Sequence, residues 1–345
     1  MGQQVLSEAQ VAEMARTIFT AHSVSKVQCD AVVQNMVWSE LVGRRNFGVM
    51  RIPIHVERLK FGLLNPSATL ELQQVSESAA CMDADNAFGH FAGKAGMEKA
   101  IELASDTGIG IVTIKRSNWY GTGAYFVKLA ADAGMISLAL SNSFPKVAAF
   151  GGASSVFGTN PFAFGAPRAS GDHLMVDFAT SSLAGSTVRQ YRDNGEQLPE
   201  GLATYPDGKP LTDPSDLEAG ALLPFGGAKG YGIALLVEIM AGVLSGSGFS
   251  HTVKSTYSNF DEINDSGHCV IAIDIKCLMS LPDYYSRIET LVGILKASAP
   301  SSGHVRLPGE VRWENLRHNS KSGIEIAAAT WSELLKVADE VGLCL

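Results

Sequence analysis

The sequence predicts an α/β protein with a helical N-terminal third. Three observations carry this. Amphipathic helical stripes dominate residues 7–62, and apolar segments of helix and strand length alternate from residue 94 to residue 140. Short strands separated by Gly, Pro and Ser then fill the middle of the chain.

The elements follow in order. Ser7 and Gln10 form a capping box, and Val11, Met14, Ala15, Ile18 and Phe19 make one apolar stripe behind it. A second helix is expected over Lys26 to Leu41. A third follows Pro53, from Ile54 to Phe61, with Gly62 as its stop. A helix covering Lys94 to Ala104 ends at Gly108 and leads into a strand, Ile109 to Ile114. After a Gly-rich turn, a helix from Ala124 to Ala133 closes at Gly134 and feeds the strand Met135 to Leu140. Pro161 to Phe164 and Leu174 to Phe178 read as strands. Residues 189–221 read as an irregular excursion marked by Pro199, Pro206, Pro210 and Pro214. A buried helix is expected from Lys229, then a strand (Cys269 to Ile275) and a helix (Tyr284 to Lys296). A C-terminal helix is expected from Thr330, with Glu333 completing a capping box.

Composition narrows the function. The 345 residues carry 27 Lys+Arg against 35 Asp+Glu, a net charge of −8 without a basic run, which argues against nucleic-acid or membrane-surface binding. The five cysteines (29, 81, 269, 277 and 344) lack CxxC spacing and read as reduced thiols of a cytoplasmic protein. The longest apolar stretch, Ile233 to Leu244, is interrupted by Glu238 and is too short to span a bilayer. The eight histidines show no HxH or HxxxH spacing, so no metal site is expected.

No GxGxxG opens a helix after a strand, so the usual dinucleotide fingerprint is missing. Gly121-Thr122-Gly123 is either a structural turn or a place where helix-start amides receive a phosphate or nicotinamide group. Lys229, at the start of its helix, opposes the helix dipole and calls for an anionic partner, either a ligand or a carboxylate side chain.

Six strings occur in a characteristic order: Ser117-Asn118-Trp119-Tyr120-Gly121, Leu140-Ser141-Asn142-Ser143, Phe157-Gly158-Thr159-Asn160-Pro161, Asp177-Phe178-Ala179-Thr180-Ser181, Leu223 to Gly230, and Arg306-Leu307-Pro308-Gly309-Glu310. Together they resemble the type-2 malate/L-lactate dehydrogenase family, which includes sulfolactate and ureidoglycolate dehydrogenases and the Δ1-piperideine-2-carboxylate/Δ1-pyrroline-2-carboxylate reductases. The resemblance implies a non-Rossmann fold binding NADPH or NADH, with a mixed sheet flanked by helices, in a homodimer. It also implies a helical substrate and dimer region, residues 1–75, joined by the segment 311–345, and a cofactor domain over 76–310.

By the same resemblance, the cofactor lies against Tyr120, Gly121, Thr122, Gly123, Ala124, Ser141, Asp177, Phe178, Ala179, Ala228, Lys229 and the loop Gly303, His304, Arg306, Leu307, Pro308 and Gly309. Arg51 stands where the family motif Ser-His-Gly-x-x-Arg places its Arg and is expected to hold a substrate carboxylate through two parallel hydrogen bonds. Thr159, Gly185 and Ser186 are expected on the substrate, and Arg44 and Arg45 make a possible further anion site.

The catalytic positions depart from the family. Its Ser-His pair is Asn46-Phe47 here, a second family His is Trp119, the acidic relay residue of the imine reductases falls on Thr187, and the His of Gly-Gly-His-Lys is Ala228. Phe and Trp donate no useful proton and make a drier pocket. Three readings follow. The first is a reductase of cyclic imino acids, whose iminium form already carries its proton. The second is a 2-oxo-acid/2-hydroxy-acid dehydrogenase with a substitute donor, namely Tyr120, Lys229 or a water held by Asn46. The third is a protein that keeps the fold but has lost redox chemistry or acquired another reaction.

Overall fold

The computed structural model describes residues 3–343, so Cys344 lies outside it. Helices Glu8–Ala21, Lys26–Leu41 and Ile52–Lys60 open the chain, and the Ser7–Gln10 capping box is present at the first. Their apolar faces bury Ile18, Phe19, Val32, Met36, Ile52 and Val56 in one cluster with Ile324, Ile326, Trp331 and Leu334 from the far end of the sequence. Strand Gln4–Leu6 seals this cluster by pairing antiparallel with Ile324–Ile326.

The main sheet has seven strands in the spatial order Glu71–Gln74, Ala79–Asp83, Ile109–Ser117, Ser266–Asp274, Met135–Ser141, Phe162–Ala166 and Leu174–Phe178. Only Ala79–Asp83 and Ile109–Ser117 run parallel, so the sheet is mixed, as the resemblance implied. Its central strand, Ser266–Asp274, arrives more than 120 residues after the neighbours it separates and is paired along nearly its whole length on both sides.

Helix Gly89–Thr107 packs tightly on this sheet. A Cβ on Gly110 would lie 2.0 Å from the Ala100 carbonyl oxygen, so the strand needs glycine there for the helix to seat. Gly108 and Gly134 end their helices with positive φ, which relieves the turn into each following strand. Helix Gly123–Asp132 packs beside Gly89–Thr107, and Tyr125, Phe126, Val127 and Ala130 enter the same core as Met97, Ala100, Val112 and Ile114. On the other side, Val237 and Ala241 meet Leu140 and Cys269.

Several expectations need correction. The excursion over 189–221 is not wholly irregular: helix Gly185–Asn194, strands Ala203–Thr204 and Ala221–Leu222 and a 3-10 turn Pro214–Ala219 build a small lobe around Val147, Phe157, Val188, Leu198 and Leu211. The helix expected to be buried runs from Ala228 to Val237 and continues as a π turn, Glu238–Val243, but Leu235, Leu236, Ile239, Val243 and Leu244 are exposed. Its apolar surface exceeds what one chain covers. The last helix begins at Ala328 and not at Thr330, and the residue at its cap is Ala327, which accepts no side-chain hydrogen bond. A helix the periodicity did not reveal, Glu310–Ser322, leads back toward the sheet.

Among the described residues no helix is long and apolar enough to cross a membrane, and no group of three potential metal ligands occurs. Cys29, Cys81, Cys269 and Cys277 are free.

Candidate functional site

A cleft of about 640 Å³ lies where the turn after the second helix, the ends of the sheet strands, the small lobe and the loop before the central strand converge. Its substrate-side wall starts with two consecutive 3-10 turns, Arg45–Phe47 and Val49–Arg51. Glu40 braces them from behind: its Oε1 accepts from the Val49 amide at 2.8 Å and sits so close to Gly48 that a Cβ there would fall 2.0 Å from it. Burial pushes the Glu40 carboxyl up to about 7, against the Val49 amide and the Arg45 charge, which hold it down.

The turns aim Arg51 and Phe47 at the cleft. Arg51 donates through Nε to the Asn46 carbonyl at 2.7 Å, which leaves its two terminal nitrogens for a ligand. Its guanidinium lies over the rings of Trp119 and Tyr257, 5.5 and 5.4 Å from their centroids. Phe47 stacks on Trp119 at 6.0 Å with 9° between the planes. The two residues standing for family histidines therefore form one aromatic wall beside the guanidinium.

The floor is polar and closed on itself. Tyr120 is buried and stacks on His268, centroids 4.8 Å apart. His268 is held from both sides, Nδ1 2.9 Å from Ser141 Oγ and Nε2 2.9 Å from Ser117 Oγ, and burial holds its pKa down to about 3, so it is neutral. The Tyr120 hydroxyl has no partner; burial and then the Asp177 charge hold its pKa well above the usual phenol range.

Asp177 caps helix Gly123–Asp132. Its Oδ2 accepts from Thr122 Oγ1 at 2.5 Å and from the Ala124 amide at 3.1 Å, and Arg312 Nη2 lies 3.6 Å from the same oxygen. A carboxylate is favourable at a helix N-terminus. One helix-start amide expected to receive a phosphate or nicotinamide group is thus already taken, and Thr122 and Ala124 are buried beneath the floor.

Two further histidines stand behind Trp119. His55 and His90 are buried, with ring centroids 5.6 and 5.3 Å from Trp119 and 5.5 Å from each other, and neither nitrogen of either ring has a partner. Burial holds His55 far below its usual pKa and His90 down to about 3, so both are neutral. Neither lines the cleft.

Of the residues singled out in the sequence, Asn46, Phe47, Arg51, Trp119, Tyr120, Gly121, Ser141, Thr159, Asp177, Phe178, Ala179, Gly185, Ser186 and Thr187 line this one cleft. Others do not. Arg45 turns away to pair with Glu325 at 2.6 Å, whereas Arg44 faces the cleft. Gly123, Ala228, Lys229 and the loop Gly303–Gly309, with His304, Arg306, Leu307 and Pro308, lie outside it. Lys229 is exposed and forms no ion pair with a described carboxylate, so its anticipated side-chain partner is absent there. The loop docks on the sheet edge through the Met175 amide, which donates to the Pro308 carbonyl at 3.1 Å, and the helix it introduces delivers Arg312.

Sequence reasoning missed Arg312, Tyr257, His268 and Glu40. Glu238, noted only as a break in an apolar stretch, is buried, and its Oε2 accepts from Asn160 beside Thr159 at 2.5 Å. A lone charge inside an apolar helix was the available signal for it.

A sheet of this order with a cleft at its strand ends defines a class of enzyme, and the comparisons agree on which. The family model for malate/L-lactate dehydrogenase matches residues 6–335, so the chain belongs to that family. It is 32% identical to the L-sulfolactate dehydrogenase of Methanothermobacter thermautotrophicus over 99% of this chain and 98% of that one. It is also 32% identical to the Δ1-pyrroline-2-carboxylate/Δ1-piperideine-2-carboxylate reductase of Pseudomonas syringae pv. tomato, over 97% and 96% of the two chains. The crystal structure of malate dehydrogenase from Entamoeba histolytica superposes with a TM-score of 0.94 at 26% identity, covering 99% of both chains. The protein is an NAD(P)-dependent oxidoreductase of a non-Rossmann fold.

Proposed function

We propose that this protein reduces the C=N bond of a cyclic imino acid whose imine carbon bears a carboxylate, of the Δ1-piperideine-2-carboxylate or Δ1-pyrroline-2-carboxylate type. One observation carries the proposal: beside Arg51 the wall is Phe47 stacked on Trp119, with the nearest imidazoles sealed behind it. Arg51 binds the carboxylate through its two free terminal nitrogens while Asn46 holds its Nε. Trp119 and Phe47 exclude water from the reacting face. A reduced nicotinamide held here would supply the hydride for the imine carbon, and the imine nitrogen, already protonated in the iminium, would need no proton from the protein.

The residues fit such a cofactor. The cleft offers Phe178 and Pro161 as apolar surface, and the unpartnered Tyr120 hydroxyl and Ser141 at the floor. Tyr120, Gly121, Ser141, Asp177, Phe178 and Ala179 hold its reacting end in this proposal. Ala228, Lys229 and the loop Gly303–Gly309 serve the phosphates and the far end of the dinucleotide, Lys229 as a free surface cation. In this proposal residues 1–75 with 311–345 form the substrate and dimer region and 76–310 the cofactor domain, which also lends Thr159, Gly185, Ser186 and Tyr257 to the substrate, while Arg312 reaches across to Asp177. The exposed ridge Leu235, Leu236, Ile239, Val243 and Leu244 supports a homodimer.

A second reading has its own observation. Tyr120 lines the cleft, and its buried hydroxyl, without a partner among the described residues, is the candidate donor for a 2-oxo acid, with sulfolactate- or malate-type substrates in view. Fluorescence titration with NADPH and NADH, then paired assays of wild type and Tyr120→Phe, separate the two. On the imine reading, Tyr120→Phe retains imine turnover within about threefold. On the oxo-acid reading it loses about 10²–10⁴ of keto-acid reduction. Cofactor binding without turnover of either class would leave the fold put to another use.

A further inference from the structure

Helix Ile52–Lys60 follows Arg51 directly, and Arg51, His55 and Arg58 fall on its one inward face at helical spacing. Arg58 is 1% exposed and has no carboxylate partner among the described residues. Its Nη1 donates to the main-chain carbonyls of Asn259, at 2.9 Å, and Thr256, at 3.4 Å, while Nε and Nη2 remain unpaired. An unpaired buried guanidinium is costly, and one cation bridging two carbonyls of a loop fixes that loop where a neutral side chain would not. A ring contact between Phe61 and Phe260, 5.2 Å between centroids, pins the loop's next residue to the end of the same helix.

The loop so held carries Tyr257. The Arg51 guanidinium lies over its ring as it does over that of Trp119, and Ser255 to Ser258 form that side of the cleft. The carboxylate subsite is thus an aromatic slot, with two rings packed against one guanidinium. A cation packed against two aromatic rings is oriented and shielded from water, which strengthens its hydrogen bonds to an anion in its own plane.

Resting on the assignment of Arg51 to a substrate carboxylate, we propose that Tyr257 is a specificity-determining residue that closes this slot over a planar carboxylate, and that Arg58 is the positioning residue that seats it. Tyr257 acts through its ring and not its hydroxyl. Arg58 never touches substrate.

The test is titration calorimetry of the full-length protein, preloaded with NADP+ or NAD+, with pyrrole-2-carboxylate as a planar, unreactive probe. Tyr257→Ala weakens probe binding about tenfold, Tyr257→Phe stays within twofold of wild type, and both leave the dinucleotide Kd unchanged. Arg58→Met weakens the probe about as much as Tyr257→Ala, and adding Tyr257→Ala to Arg58→Met costs little more. Arg58 is buried, so melting curves accompany that variant, and the exposed Tyr257 pair decides the matter if Arg58→Met does not fold. Arg51→Met abolishing probe binding while Tyr257→Ala stays within twofold of wild type would overturn the slot and spare the Arg51 assignment. A probe that binds Arg51→Met and wild type equally, or neither, removes both.

Discussion

The two walls of the cleft differ in how far their polar groups are paired. On the cofactor side, the carboxylate and the imidazole are tied into pairs: Asp177 is held by Thr122, the Ala124 amide and Arg312, and His268 by Ser117 and Ser141, while the Tyr120 hydroxyl and Arg312 Nε have no partner among the described residues. On the substrate side, unpartnered buried atoms accumulate: both nitrogens of His55 and of His90, Nδ2 of Asn35, and Nε and Nη2 of Arg58. A buried polar atom without a partner costs about 1–3 kcal/mol. The contrast is one of degree, between a wall whose main polar groups are paired and one whose chemistry has been rebuilt around Phe47 and Trp119.

If the cofactor wall depends on this pairing, Asp177→Ala should be the most damaging single change. It leaves Arg312 buried without its anion and frees two donors at a helix start. We expect about 3–5 kcal/mol lost in chemical denaturation, together with loss of dinucleotide binding. A loss below about 1 kcal/mol would mean the network is incidental.

Glu40 sharpens the contrast from the other wall. Its folded pKa, about 7, is raised above the ordinary value of 4.5, so its stabilising contribution is complete below about pH 4.5 and declines as pH rises through 7. Glu40→Gln keeps an acceptor for the Val49 amide but cannot ionise. It should therefore gain on wild type between pH 5 and pH 8, by up to about 3 kcal/mol, when the two are unfolded in urea across that range. Parallel stability profiles would show that the brace is not a buried ionisable group. The smallest effect concerns the far end of the cofactor. Lys229→Ala should weaken dinucleotide binding by at least tenfold, about 1.5–3 kcal/mol for a charge-assisted contact, without altering probe affinity at Arg51. An unchanged Kd would confine the cofactor to the cleft residues.

Local features of the fold were legible. Helix Lys26–Leu41 and strand Leu174–Phe178 match the expected bounds, because the residues that start and stop such elements act on their immediate neighbours. Long-range features were not. Nothing in Ser266–Asp274 announces that it will lie between Ile109–Ser117 and Met135–Ser141, and Arg312 meets Asp177 across 135 positions of sequence. The helix from Ala228 misled because apolar residues all round its axis suggest burial in its own chain, whereas one side remains open. At the site, the motif strings and the resemblance pointed to about half of the cleft lining, and Tyr257 and Arg58 belong to no motif and are joined only through a loop and a helix that the fold brings together.

The central claim is that this cleft serves an electrophile that arrives protonated. The most direct measurement is kcat/KM of the wild-type enzyme for Δ1-piperideine-2-carboxylate and for pyruvate, with the dinucleotide it binds better, from pH 6 to pH 9. The imine assignment predicts at least about a hundredfold preference for the imino acid, the scale of a missing acid–base group, with a rate that falls as the iminium loses its proton. Equal or faster reduction of pyruvate would contradict it and place the proton donor within the cleft.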